Sequence, residues 1–133
     1  TRLILLEPPF TQYNSWIVEE IDEIVNSRRL IPIIAHVHRY MGVYSKSDLK
    51  SLMSVDAVFQ INAEAFEHFV TRRFVNKLIS SGRDFVFGSD AHNLDDRKPN
   101  FDLIAKRSES ENIRRSDKLL MSAMADEERM FAF

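Results

Sequence analysis

Cysteine is absent from all 133 residues, which excludes disulfides, zinc–thiolate sites and thiol nucleophiles. Any metal must therefore be held by histidine, aspartate or glutamate. A basic surplus is absent too: 18 Lys and Arg stand against 20 Asp and Glu, for a formal net charge of −2. Proteins that bind nucleic acid through bulk charge need that surplus to neutralise phosphates, so no nucleic-acid partner is expected. Long apolar runs are missing, since residues 3–6 and 30–35 are far too short to cross a bilayer. No signal-peptide pattern opens the chain, and there is no low-complexity stretch or internal repeat. The expectation is a soluble cytoplasmic domain with no membrane insertion. Thr1-Arg2 leads straight into an apolar segment without a methionine, which reads as a processed N-terminus or as the back part of something longer.

What is there suffices for one core: 44% of the residues are hydrophobic in a chain of single-domain length. Residues 3–6 read as a buried strand ending at Glu7, and Pro8-Pro9 prevents a helix from starting at once. From Asn14 to about Arg29, Ile17, Ile21, Ile24 and Val25 recur at helical spacing, with Glu19, Glu20, Asp22 and Glu23 on the other face. Residues 31–35 form a second strand, running into His36-Val37-His38-Arg39-Tyr40. Ser45-Lys46-Ser47-Asp48 has the form of a capping box for a short helix through about Met53. A third strand is expected over 56–61, then a helix from about Ala63 to Ser80 closed by Gly82. Residues 85–88 form a fourth strand and run into Ser89-Asp90-Ala91-His92-Asn93. After a loop over 94–100, helices are expected from about Phe101 and from about Ser116. Four strand–helix units, with strands apolar on both faces, predict an α/β protein whose parallel sheet is covered by helices. Half of a (β/α) barrel and a small open sheet both satisfy that pattern.

Glu7, His36, Asn62, Asp90 and His92 all fall at or just beyond the C-terminal ends of strands, the rim where parallel α/β proteins assemble active sites. Two imidazoles and two carboxylates there suit a divalent metal bound through nitrogen and oxygen. Asp90 and His92, two apart on an extended segment, would point the same way. His36 then provides a third ligand and Glu7 a fourth.

The strings Pro32-Ile33-Ile34-Ala35-His36-Val37-His38-Arg39-Tyr40, Phe59-Gln60-Ile61-Asn62-Ala63 and Gly88-Ser89-Asp90-Ala91-His92-Asn93 through Arg97-Lys98-Pro99 carry a resemblance. They resemble the PHP (polymerase and histidinol phosphatase) superfamily, and within it the bacterial tyrosine phosphatases of capsular and exopolysaccharide operons. The resemblance runs from about Leu3 to Phe101. It implies a single partial PHP domain: part of a distorted (β/α) barrel with about four parallel βα units over residues 3–110, and a helical tail over 111–133. It also implies a cluster of metal ions at the C-terminal rim, with manganese usual and iron, zinc or cobalt compatible with the ligand types. By the same resemblance Glu7, His36, Asp90 and His92 are metal ligands, and Arg39 and Arg97 hold the substrate phosphate. The implied reaction is phosphotyrosine hydrolysis by a metal-bound hydroxide. The implied partner is a tyrosine-phosphorylated protein, the tail of the bacterial kinase that regulates polysaccharide export. Such chemistry agrees with the residues: clustered metals lower the barrier to phosphate-ester hydrolysis, and guanidinium groups match phosphate with paired hydrogen bonds.

Two departures qualify the resemblance. The family's His-x-His, the aspartate after it, and a further histidine and glutamate have no counterpart here, so roughly half of the ligand set is present. His36-Val37-His38 is not read as a metal-binding His-x-His, because His38 stands where the family usually has glutamate; it is read as a rim residue. His68 reads as a surface or core-edge histidine of its helix, and Arg72, Arg73 and Lys77 as a basic face that is solvated or meets an acidic partner. Asn62 either turns its amide to the site or caps the next helix. Tyr13 and Trp16 line an approach for an aromatic substrate or simply pack. Asp95 and Asp96 are taken as turn residues. Arg114, Arg115 and Lys118 against Asp126, Glu127 and Glu128 suggest a largely solvated amphipathic tail. The catalytic reading has two alternatives: a PHP phosphoesterase for a small molecule such as histidinol phosphate, and a non-catalytic half-domain. The latter would associate with another chain, or with itself, through open sheet edges.

Overall fold

The computed structural model describes residues 1–131, with side chains through residue 125. Four strands, β1 (Leu3–Leu6), β2 (Ile31–Ile34), β3 (Val58–Asn62) and β4 (Phe85–Gly88), form one sheet in the order β1-β2-β3-β4, and every neighbouring pair is parallel. Parallel neighbours need a crossover, and helices supply it. α1 (Trp16–Asn26), α2 (Lys46–Met53) and α3 (Phe69–Ser80) follow β1, β2 and β3, and α4 (Asp102–Arg107) and α5 (Ser110–Phe131) follow β4. The fold is thus α/β with an open parallel sheet among the described residues.

Alternation along the strands divides the core in two. Ile34, Phe59, Ile61 and Phe85 meet Ile17 and Ile21 of α1, Leu52 of α2 and Val75, Leu78 and Ile79 of α3. Ile33, Val58 and Val86 point to the other face and meet Leu119 and Leu120 of α5. Because helices cover both faces, the strands read as largely apolar runs, broken within β3 by Gln60.

Pro32 sits in an interior strand, where proline is normally excluded because it has no N–H to donate. The register explains its presence. Ile31 and Ala35 donate to the Arg2 and Leu6 carbonyls at 2.8 and 2.9 Å, so odd-numbered N–H groups of this segment face β1. The N–H that Pro32 lacks would face β3, whose pairing begins only at Ile33↔Val58.

Local signals mostly produce the elements they announce. Ser45 caps α2, accepting from Asp48 N at 3.1 Å while its hydroxyl donates to the Asp48 carboxylate at 2.7 Å. Gly82, at φ +80°, takes the left-handed position after α3. Three expectations need correction. The helix expected over 63–80 is broken: a 3-10 turn over Ala63–Phe66 ends at Glu67, and α3 begins after an extended His68, which occupies the N-cap and is exposed. A 3-10 segment, Val37–Gly42, follows β2 where no helix was expected. The last helix begins at Ser110, not Ser116, and is no solvated tail. Ser116 Oγ accepts from Phe87 N at 2.9 Å, Arg115 donates to the Ile79 carbonyl, and its guanidinium lies 4.7 Å from the Phe85 ring centroid. α5 therefore covers the β4 edge of the sheet. The side chains of Asp126, Glu127 and Glu128, and residues 132–133, lie outside the described residues.

Phe59 is fully buried between the sheet and its helices, with the Arg83 guanidinium 5.1 Å from its ring centroid. Phe59→Ala should cost about 3–5 kcal/mol, read as a lower urea midpoint. Phe69→Ala, at a residue 67% exposed, should stay within about 0.5 kcal/mol of the parent.

Candidate active site

The rim begins with two left-handed residues. His36 (φ +31°) lies two residues beyond β2 and Asp90 (φ +52°) two beyond β4, in a conformation that costs a non-glycine residue energy unless its surroundings hold it. At His36 the holding contact comes from β3. Gln60 Oε1 accepts from the His36 backbone N–H at 3.1 Å. The Gln60 side chain fits because β4 ends in Gly88, where a Cβ would meet Gln60 Cδ and Cγ at 3.0 and 3.2 Å and its amide nitrogen closer still. So fixed, His36 is 3% exposed, and its Nε2 lies 3.0 Å from Glu7 Oε1, with the Glu7 side chain 60% exposed.

The loop that follows Glu7 is held by Tyr40 of the 3-10 segment and by Tyr44 just beyond it. Tyr40 Oη donates to the Pro8 carbonyl at 2.8 Å and Tyr44 Oη to the Pro9 carbonyl at 2.6 Å. Burial pushes both phenols above their ordinary pKa, keeping them as donors. Phe10, next along this loop, stacks on the His36 ring at 5.3 Å and on Tyr40 at 4.9 Å.

A second cluster is ionic. Arg39 donates to Glu64 Oε1 through Nε at 2.9 Å and Nη2 at 2.7 Å, and its Nη1 lies 3.0 Å from Asp90 Oδ2. Arg97 Nη2 donates to the same Asp90 oxygen at 2.9 Å. His38 Nε2 lies 3.2 Å from Glu64 Oε1. Two guanidiniums thus share two carboxylates at the rim. Burial would raise the Glu64 carboxyl, but the hydrogen bond and charge of Arg39, followed by those of His38, outweigh it and hold the group below its ordinary value. Burial pushes the His38 imidazole down, and the charge and hydrogen bond of Glu64 only partly offset this.

The expected ligands therefore occupy one rim as pairs. Glu7 and His36 touch; Asp90 is engaged by Arg39 and Arg97. His92 turns back, Nδ1 lying 2.8 Å from the Asp90 carbonyl oxygen and 4.0 Å from its carboxylate. The reason is the left-handed Asp90: the segment is not extended, so the two side chains are not parallel as alternation would have them. His38, expected as a rim residue, is buried on Glu64. Asn62 makes no cap; both of its side-chain polar atoms are buried and unpartnered, as are His36 Nδ1 and His38 Nδ1. Asp95 and Asp96 lie in a turn organised by Asn93, whose Oδ1 accepts from Asp95 N and Arg97 N and whose Nδ2 donates to Asp96. Tyr13 packs edge-on against Tyr44 at 5.3 Å, and Trp16 stays half exposed beside Glu7 and Pro8. Glu64 and Phe10 carry no signal in the sequence that marks them for this site. Gln60 alone carried a signal, as a polar residue inside an apolar strand.

The family model of capsular polysaccharide synthesis proteins CpsB/CapC matches residues 1–125. The chain belongs to the CpsB/CapC family. Its fold is similar to that of a chain in the crystal structures of YwqE from Bacillus subtilis and CpsB from Streptococcus pneumoniae, described as unique metal-dependent tyrosine phosphatases. The TM-score is 0.68 at 23% identity, covering 89% of this chain and 51% of that one, so this chain spans about half of that relative's length. No curated protein matches. The donor types suit a divalent cation, yet among the described residues no three His, Asp or Glu side chains gather as a group that could hold one. These residues supply donor pairs and not a complete centre.

Two measurements probe this CpsB/CapC rim. Gly88→Ala should displace the Gln60 carboxamide and strip the His36 N–H of its acceptor, at a cost of about 1–3 kcal/mol in urea unfolding. In a Gln60→Ala background the same substitution should cost much less, because the collision is gone. Glu64 contributes stability that is complete above its unfolded pKa, near 4.5, and is lost as pH falls through the lower folded value. The difference in Tm between the parent and Glu64→Gln should therefore be full at neutral pH and shrink below about pH 4.5.

Proposed function

We propose that the chain contributes the phosphate-binding and late-ligand part of a metal-dependent phosphotyrosine-protein phosphatase linked to capsule and exopolysaccharide synthesis. The observation that carries the reading is the Arg39–Asp90–Arg97 cluster beside the Glu7–His36 pair on one rim of a CpsB/CapC fold. Two guanidiniums that already converge on one Asp90 oxygen bring the N–H donors that a phosphoryl group requires to one point, and an arriving phosphate would exchange with Asp90 for them. Release of Asp90 from Arg39 and Arg97 would free its carboxylate as a ligand. Under this reading Glu7, His36, Asp90 and His92 hold divalent metal, manganese first and iron, zinc or cobalt otherwise, together with donors from outside the described residues. The substrate is a tyrosine-phosphorylated protein such as a bacterial tyrosine kinase tail. The sheet continues beyond β1 as the rest of a distorted barrel, and the setting is cytoplasmic. Phe10 and Trp16 flank Glu7 and offer apolar surface to an aromatic leaving group.

One observation favours a second reading, a non-catalytic half-domain. The donors stand in pairs, and the β1 edge has no strand beyond it among the described residues, which leaves a row of backbone groups for another chain or a second copy. Hydrolysis of a phosphotyrosine peptide by the chain joined to the remainder of the barrel that supplies the other donors, with and without manganese, separates the two. The catalytic reading expects turnover that chelation abolishes and that Asp90→Ala lowers by at least about a hundredfold. Turnover indifferent to Asp90→Ala would overturn the assignment of the site. No turnover with manganese, iron, zinc or cobalt would leave the half-domain reading in its place.

A further inference from the structure

We propose that the groove between α2 and α3 is a docking site for an acidic peptide segment that carries an apolar anchor. It measures about 580 Å³, lies on the face of the sheet covered by α1, α2 and α3, and shares no lining residue with the Arg39–Asp90 rim. α2 supplies Lys46 and Lys50, one turn apart, with Leu49 and Met53 between and beyond them. Phe74, Lys77 and Leu78 come from the facing turn of α3. Arg83 closes one end, held by a hydrogen bond from its guanidinium to the Val55 carbonyl and by its place over the Phe59 ring. The floor is therefore apolar and the border is cationic, and no carboxylate lines the groove.

That combination is unfavourable in a groove left empty. Lys46 and Lys50 stand at i and i+4, where like charges repel, and Lys77 and Arg83 add to the same field. Among the described residues no ion pair engages Lys46, Lys50 or Lys77. Asp48, within α2, is drawn away by the Ser45 hydroxyl at 2.7 Å. An anionic occupant would relieve that repulsion.

The shape decides what kind. Leu49, Met53 and Phe74 are half-buried and Leu78 is buried, so the apolar surface is recessed. A recess receives an inserted side chain; a membrane-binding surface needs apolar groups that protrude. A chain of net charge −2 lacks the bulk field of a nucleic-acid binder. An acidic peptide with a leucine-like anchor satisfies both the rim and the floor, and charge complementarity would speed its encounter. This inference stands whether or not the rim hydrolyses phosphotyrosine.

Fluorescence anisotropy of a labelled peptide alternating glutamate with leucine, titrated with the full chain, tests it. Saturable binding is expected that weakens with added salt. It should fall at least about tenfold in Lys50→Glu/Lys77→Glu and less in the milder Lys50→Gln/Lys77→Gln, and hold in Lys106→Glu, which lies outside the groove. Circular dichroism of each variant checks that it is folded. No saturable binding by the parent, or equal binding by the parent and a folded Lys50→Glu/Lys77→Glu chain, would overturn the proposal. So would binding to phosphatidylserine vesicles without binding to the peptide, which would make the groove a lipid-headgroup site. Self-association that is abolished by Lys50→Glu/Lys77→Glu, in a chain that ignores the peptide, would likewise overturn it in favour of a second copy as occupant.

Discussion

All four strands run the same way, and that single constraint organises the molecule. Parallel pairing sends each strand back through a helix, so strand C-termini collect on one rim. It also buries both faces of the sheet, which leaves the strand ends as the place where polar side chains can be presented together. Glu7, Asn62 and the residues just beyond β2 and β4 reach one rim although they lie far apart in the chain.

On that rim, position is gained at the expense of stability. His36 and Asp90 are held in left-handed conformations, and Asn62 keeps both polar atoms buried without a partner. Each would be selected against in a surface built only to fold. The Arg39–Glu64–Asp90–Arg97 network contributes less stability than its short distances suggest, since partly exposed ion pairs are screened and charges removed from water are costly. The network does supply a fixed pair of guanidinium groups.

The distribution of charge has a logic of its own. The net charge is small, yet the outer face of α1 is acidic while the α2–α3 groove is cationic and free of carboxylates. Segregation of this kind leaves bulk solubility unchanged and gives two surfaces opposite local fields, which is how a near-neutral domain becomes selective about the molecules that approach each side.

Much of this was legible beforehand, and the pattern of success is physical. Apolar strands of four or five residues, helical periodicity in α1, the serine cap of α2 and Gly82 after α3 are local signals, decided by neighbours in the chain, and they identified the α/β class and the rim. The break at His68 was missed because composition across 63–80 suits a helix throughout, whereas the chain must turn between the 3-10 segment and α3. The docking of α5 was missed because one serine hydroxyl on a strand N–H and one arginine on a ring carry no periodic signature. The parallel alignment of Asp90 and His92 failed because a single left-handed residue reverses the direction of the chain after it. Sequence by itself determined which residues stand at the strand ends, since periodicity and turn chemistry act within a few residues. Only the tertiary structure decided which of them touch: Glu7 with His36, Arg39 with both Glu64 and Asp90, Gln60 over Gly88. Those contacts depend on strand register and backbone handedness, which are settled by packing across the sheet and not along the chain.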